Sequence, residues 1–351
     1  MDQLFYWLTL KAIHGLGERN IKKLYQYYKD PKLILEAERW ELVKLVGEVR
    51  ASRIKEKKLS FDPEEVIKVV QREGIGFLTL SDMDYFPRLK EIEDPPPVLF
   101  YQGELKRTKF FAVVGTRKPD NYSIMYLKEL IGLLVSKGYG IASGGAMGID
   151  ILSHRFCTES GGYTVCFLGF GILQAPKNIK RFVLANGAIV SELLPWEHAD
   201  RYTFYRRNRL ISGVSDGVFV VEAGENSGAL ITAYYAKEQG RQVYAHVGYG
   251  SSERWEGCIK LINEGVAKLV GRLQKFEVEE EKVDDPILIA LSTPKTLSEL
   301  SQILGIEERE LSKRLGLYVA EGLVHCNGPY YCRLKQEGDE YYADEELFPT
   351  L

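Results

Sequence analysis

A chain of 351 residues has room for two or three domains and enough core to need no cross-links. Its 45% hydrophobic and 27% charged residues are ordinary for a globular protein, and no uncharged apolar run of about 18 residues suggests a membrane span. A net charge of −3 does not advertise nucleic-acid binding, and five scattered cysteines without a CxxC pair point to neither a disulfide framework nor a zinc site, which fits a reducing cytoplasm.

Charge is nonetheless segregated. "EVEEEKVDD" (277–285) and "EGDEYYADEE" (337–346) are acidic, whereas "DRYTFYRRNR" (200–209) is arginine-rich, so a local basic surface is compatible with the negative total. Residues 1–75 read as a helical N-terminal domain. Its opening "MDQLFYWLTLKAIHG" lacks the basic region and small-residue cleavage site of a signal peptide. Within it, "AIHGLGERNIKKLYQYY" (12–28) predicts a Gly-x-Gly turn before an amphipathic helix. That is either one helix-hairpin-helix, with turn amides for a phosphate, or an ordinary packing unit.

Residues 76–107 read as a connector, because Pro95-Pro96-Pro97 cannot lie inside a helix. From 108 to 272, apolar strands alternate with helices. Strands are expected at 110–115, 138–143, 163–169, 188–192, 217–223 and 242–247, and helices at 123–137, 148–159 and 227–239. Near-continuous apolar strands of this kind predict a parallel sheet covered on both faces, an α/β doubly wound domain. An acidic linker (273–285) leads to a winged-helix pattern over 286–336, with a hairpin signal at Asn327-Gly328, and then to an acidic tail, 337–351. The presumed recognition helix, 307–321, mixes Glu308, Glu310 and Glu321 with Arg309, Lys313 and Arg314, which is not a strongly basic groove reader.

Several strand exits carry the chemistry. "VVGTRKPDNYS" (113–123) lacks GxGxxG but puts Gly115-Thr116-Arg117 where open α/β sheets hold ligands. The hydroxyls of Thr116 and Ser123 can donate to phosphate, and Arg117 can make a two-pronged contact. "SGGAMGID" (143–150) frees backbone amides at Gly144, Gly145 and Gly148 ahead of a helix N-terminus, with Asp150 in its first turn. "GFGILQAPKNIKRF" (169–182) carries Lys177, Lys180, Arg181 and Phe182, a cationic and aromatic mixture suited to a single strand. In "FYRRNRLISGVSD" (204–216), helical spacing lets only part of the arginine cluster serve one ligand, and Arg207 and Arg209 stand as candidates. "EAGENSGALITAYYAKEQG" (222–240) repeats the amide-donor geometry at Ser227 and Gly228. HExxH, GxSxG and P-loop patterns are absent, His154 and Cys157 read as packing residues, and no acid–base set emerges.

These segments, with "SELLPW", "SGALITAYYAKEQGRQVYAHVG" and "LINEGVA", occur in order over about 110–267 and resemble the DprA/Smf family of DNA-processing proteins. The lead-in "DYFPRLKEIEDPPPVLFYQGEL" and the C-terminal winged helix resemble that family's flanks. The resemblance implies an extended Rossmann-like fold that binds single-stranded DNA in a basic pocket and helps load the RecA recombinase during natural transformation. It also implies a homodimer and no catalytic residue, cofactor or metal. Carried over by motif, Arg117 contacts the DNA backbone, Gly144, Gly145 and Gly148 form the phosphate rim, and Lys180 and Phe182, with Lys177 as an alternative, fall near the basic and aromatic contact segment. The chain departs from the family at Ala175 (usually Tyr), at Tyr205 (usually Pro) and at His246-Val247-Gly248 (usually Val-Pro-Gly). Two other readings remain at this point. One is a nucleotide-processing enzyme of the phosphoribohydrolase type, whose PGGxGTxxE signature is missing here. The other is a DNA-recognition hub whose winged helix contacts proteins.

Overall fold

A computed structural model of the chain describes residues 2–248, 252–278, 285–291, 293–320 and 323–333. The acidic tail (337–351) and residues 279–284 of the acidic linker lie outside the described residues, as do Glu321 and residues 334–336 of the winged-helix segment. The chain divides into two units, Met1–Val278 and Glu279–Leu351.

Among the described residues, the first unit is built on a nine-stranded sheet. Its strands are β1 (Gly76–Thr79), β2 (Val98–Gly103), β3 (Phe110–Val114), β4 (Gly140–Gly144), β5 (Thr164–Phe167), β6 (Gly187–Ser191), β7 (Gly217–Val220), β8 (Gln242–Ala245) and β9 (Lys268–Leu269). They lie in the order β1-β2-β6-β5-β4-β3-β7-β8-β9. From β6 across to β9 all neighbours are parallel, while β1 and β2 continue the sheet antiparallel beyond β6. β3 shows why: Phe111 and Val113 enter the cluster under helix Asn121–Ser136, and Phe110, Ala112 and Val114 enter the larger cluster on the opposite face. A strand buried on both faces must be apolar throughout, hence the unbroken run read from sequence.

Two expected boundaries change. The segment 76–107 is more than a connector, since β1 and β2 pair with each other and β2 pairs with β6. Nor does the core stop at residue 75. Leu4, Trp7 and Leu8 of helix Asp2–Ala12 belong to the same buried cluster as Phe100, Phe167 and Val190. In the Gly-x-Gly turn Gly15 and Gly17 are exposed and only Leu16 packs inward. Glu18, at the start of helix Glu18–Tyr28, pairs at 2.6 Å with Arg206 of helix Arg201–Gly213, so a carboxylate of the protein already occupies that helix N-terminus.

The second unit holds helices Pro286–Ala290, Leu297–Leu304 and Glu308–Ala320 and three short strands, β10 (Lys295–Thr296), β11 (Val324–Asn327) and β12 (Tyr330–Arg333), in the order β10-β12-β11. Thr296 and Glu299 form a reciprocal capping box, and Gly305 ends the same helix in the left-handed region at φ 65°. The hairpin is displaced by one residue from the sequence expectation. Asn327 pairs with Tyr330, which leaves Gly328-Pro329 as the turn, with Gly328 at φ 58° as a type II′ first position requires.

Candidate nucleic-acid interface

In an open parallel sheet, the chain leaves adjacent strands in opposite directions at one point, and a crevice opens beyond their carboxyl ends. Here that point lies between β3, whose chain continues toward β4, and β7, whose chain continues toward β8. The β3 exit is Gly115-Thr116-Arg117-Lys118, and the β7 exit runs through Glu222.

The two exits are tied together by backbone. Thr116 N–H donates to the Glu222 carbonyl at 2.7 Å, and Asp120 N–H donates to Glu222 Oε2 at 3.2 Å. On the other side, Ile149 N–H donates to the Thr116 carbonyl at 3.1 Å, which joins the β3 exit to the glycine loop after β4. Glycines allow this approach. A Cβ on Gly115 would lie 2.7 Å from Ile149 Cγ1, and one on Gly148 (φ 83°) would collide with the Thr116 carbonyl and come within 2.7 Å of Arg117 Cα. A Cβ on Gly145 would strike Ile179, so helix Lys177–Val183 is pressed against the same loop.

The cations at this crevice differ in availability. Arg117 and Lys118 are exposed, and among the described residues Arg117 makes no ion pair. Thr116 is half-buried, and its hydroxyl oxygen accepts Lys118 N–H at 3.2 Å, which leaves its proton free to donate. Lys177 is exposed at the start of its helix, Lys180 is half-buried, and half-buried Phe182 has the Arg181 guanidinium 5.6 Å from its ring centroid. Arg254 joins them from far along the chain. Its Nη1 donates to the Lys118 carbonyl and to Glu222 Oε1, both at 3.0 Å, and so holds the β3 exit against the β7 exit. No local pattern in "SSERW" marks Arg254, because its partner lies 136 residues away.

Two expected contacts are corrected. Arg209 is buried, with Nη1 2.7 Å and Nη2 2.8 Å from the Glu192 carboxylate and Nε 2.8 Å from Asp94. Burial alone would lower its pKa, yet Glu192 and Asp94 outweigh that and hold it well above the usual value. It is a structural ion pair, not a surface clamp. Ser123 is fully buried, and its N–H donates to the cap residue Asp120 at 2.7 Å, so its hydroxyl faces the interior. Arg207 is also buried, but directly beneath the glycine loop. It donates to the Phe167 carbonyl, and its guanidinium lies under Gly144 beside Asp150.

Asp150 is the central buried group of this floor. Burial raises its pKa to about 6, against Arg207 and the backbone amides of Ala146, Gly115 and Gly144, which pull it down. Beside it, His154 is pushed down to about 4 by burial and places Nε2 2.9 Å from the Gly144 carbonyl. The result is a two-loop rim with exposed Arg117, Lys118 and Lys177 at its surface and buried Asp150 and Arg207 beneath Gly144.

Residues 76–280 match the family model described as DNA recombination-mediator protein A. The chain belongs to the DprA/Smf family. The match begins where β1 begins, as the continuous sheet requires. The DNA processing protein DprA of Bacillus subtilis is 33% identical over 292 residues, which cover 80% of this chain and 97% of that protein. Protein Smf of Synechocystis is 33% identical over 77% of this chain and 71% of its own length. The X-ray structure of DprA from Streptococcus pneumoniae superposes with a TM-score of 0.66 at 32% identity, covering 77% of this chain and 97% of that one. DNA processing protein A of Helicobacter pylori, described for its single-stranded DNA binding mode, matches at a TM-score of 0.51 and 26% identity, over 57% of this chain and 93% of its own. Among the described residues, no helix is long and apolar enough to cross a membrane.

Proposed function

We propose that this protein binds single-stranded DNA, with little sequence preference, across the switch-point crevice, and that it does no covalent chemistry there. The observation that carries this reading is Arg117, an exposed guanidinium with no ion-pair partner among the described residues, on a loop fixed from both sides by Glu222 and Ile149. A guanidinium held in that way suits a phosphate oxygen pair, and Lys118, with Lys177 and Lys180 on the helix pressed against the glycine loop, adds positive charge around it. The binding mode described for the H. pylori relative supports the choice of a single strand. From family membership we infer a role in recombination during DNA uptake, with the RecA recombinase as the protein loaded on the strand. A homodimer fits the short edge strand β9, where Leu269 is 57% exposed.

The test is competition. A labelled oligo-dT held at low micromolar affinity or better should be displaced by unlabelled single strands of mixed sequence and only weakly by a duplex of equal length. Equal displacement by duplex would overturn the single-strand reading.

A further inference from the structure

Phosphate contacts hold a single strand and a duplex alike. What distinguishes the two is an unpaired base, and a base needs a flat apolar face to rest on. The carboxyl edge of the sheet offers one. Phe204, in the first turn of helix Arg201–Gly213, is 38% exposed. Its ring is seated, since a Cβ on Gly169 would fall 2.6 Å from Phe204 Cδ1 and 3.1 Å from Cε1, and the Phe170 ring meets it edge-on with centroids 6.2 Å apart. The backbone beneath is fixed as well. Asp200 and Thr203 form a reciprocal cap, and the Thr203 hydroxyl donates to the Gly169 carbonyl at 2.7 Å, which ties the helix start to the β5 exit. The Phe170 carbonyl in turn accepts the Ser191 hydroxyl at 2.7 Å. Phe110, Phe111, Phe167 and Phe219 of the same sheet are all buried, so an aromatic ring left open to water on a fixed seat is an exception that the core does not explain.

Phe204 also stands beside the phosphate rim. Residues three apart on a helix share a face, so Phe204 lies one turn before Arg207, whose guanidinium reaches under Gly144 of the glycine loop. β5 pairs with β4 and β4 with β3, so the exit that seats Phe204 lies two strand spacings, about 10 Å, from the exit that carries Arg117. Tyr202 and Tyr205 of the same helix are more exposed, but they line a cleft with Glu91, Asp94 and Glu238, where carboxylates disfavour a phosphate chain. We propose that Phe204 is a base-stacking residue: with a phosphate at the Arg117 rim, a neighbouring unpaired base lies on the open face of the ring. This inference rests on the strand-binding reading above. A duplex, whose bases are paired and stacked inside the helix, cannot use this surface, so Phe204 contributes to the preference for a single strand. A ring without hydrogen-bonding groups accepts any base, which fits binding with little sequence preference.

Anisotropy of labelled oligo-dT on the full chain, beside an abasic sugar–phosphate strand of equal length, separates base from backbone. Phe204→Leu keeps an apolar contact with Gly169 but has no ring. It should hold oligo-dT about five- to tenfold more weakly, the low end for one stacked base, and bind the abasic strand as the parent does. Its slope of log affinity against log salt should stay parental, because no phosphate contact is lost, whereas Arg117→Ala should weaken both strands. Phe204→Trp keeps a stacking face. Its added indole emission, read as the difference from the parent protein, should be quenched by oligo-dT and not by the abasic strand. Equal weakening of both strands in Phe204→Leu would mean that the ring only braces the β5 exit, and overturns the stacking role. Parental oligo-dT affinity in Phe204→Leu, or unquenched Phe204→Trp emission in a complex that anisotropy shows to be formed, overturns it too. A parent protein that holds both strands equally overturns stacking and leaves backbone binding standing, while one that holds neither overturns strand binding itself.

Discussion

Two arginine-bearing segments of this chain look alike in sequence and differ in structure. Arg117 follows a buried strand by three residues, stands on an exposed loop, and meets no carboxylate among the described residues. Arg209, in the denser cluster of helix Arg201–Gly213, is gripped by Glu192 and Asp94 from two other elements. Cluster density is therefore a poor guide to a binding site. What decides is whether the fold delivers a carboxylate, because a buried guanidinium without one is prohibitively costly and a surface guanidinium with one is already neutralised.

This contrast can be broken most forcefully at Arg209. Arg209→Ala strands Glu192 in the interior and should cost about 3–5 kcal/mol in urea denaturation, while Arg117→Ala should stay within about 0.5 kcal/mol of the parent protein. Equal stability of the two variants would erase the distinction. Next in size is the pair that fixes the N-terminal helices. Burial works to raise the Glu18 pKa, but Lys11 and Arg206 bring it down to about 2. Because the folded value lies below the unfolded one, the contribution is present above about pH 4.5 and is lost as pH falls toward 2. It amounts to about 3 kcal/mol. Glu18→Gln should remove that part of the acid dependence, which a pH series of melts would reveal. Gly148→Ala should cost about 1–3 kcal/mol and weaken oligo-dT binding as well, since relief of its collision with the Thr116 carbonyl must shift the β3 exit. Smallest of all, Phe182→Leu should cost about 1 kcal/mol of oligo-dT affinity, the low end of a stacking contribution, because Arg181 already covers part of the ring.

Much of the core was legible before any coordinates. Strands such as "FFAVVG" and "GVFVVEA" are apolar throughout because both faces are covered, and that pattern depends on no distant partner. β1 and β2 escaped because they are short, flank a proline run, and acquire meaning only through antiparallel pairing, β1 with β2 and β2 with β6, whose residues come about ninety positions after β2. The rim glycines and Arg117 were readable from their place after a strand. Ser123 was misread because a hydroxyl near a helix start looks available until Asp120 caps that helix and turns it inward. Arg254 was invisible for the converse reason, as its role exists only through contact with Lys118 and Glu222. Local pattern reports strands and turns, and it is silent on which charges the fold will pair.

In the reading proposed above, Arg117 clamps a phosphate of a bound single strand. The most direct measurement is the salt dependence of oligo-dT affinity for the parent protein and for Arg117→Ala. Log affinity of the parent should fall steeply and linearly with log salt, and the slope of the variant should be shallower by about 0.7, the loss of one phosphate contact on a single strand. An unchanged slope in the variant, whatever its affinity, would contradict that reading.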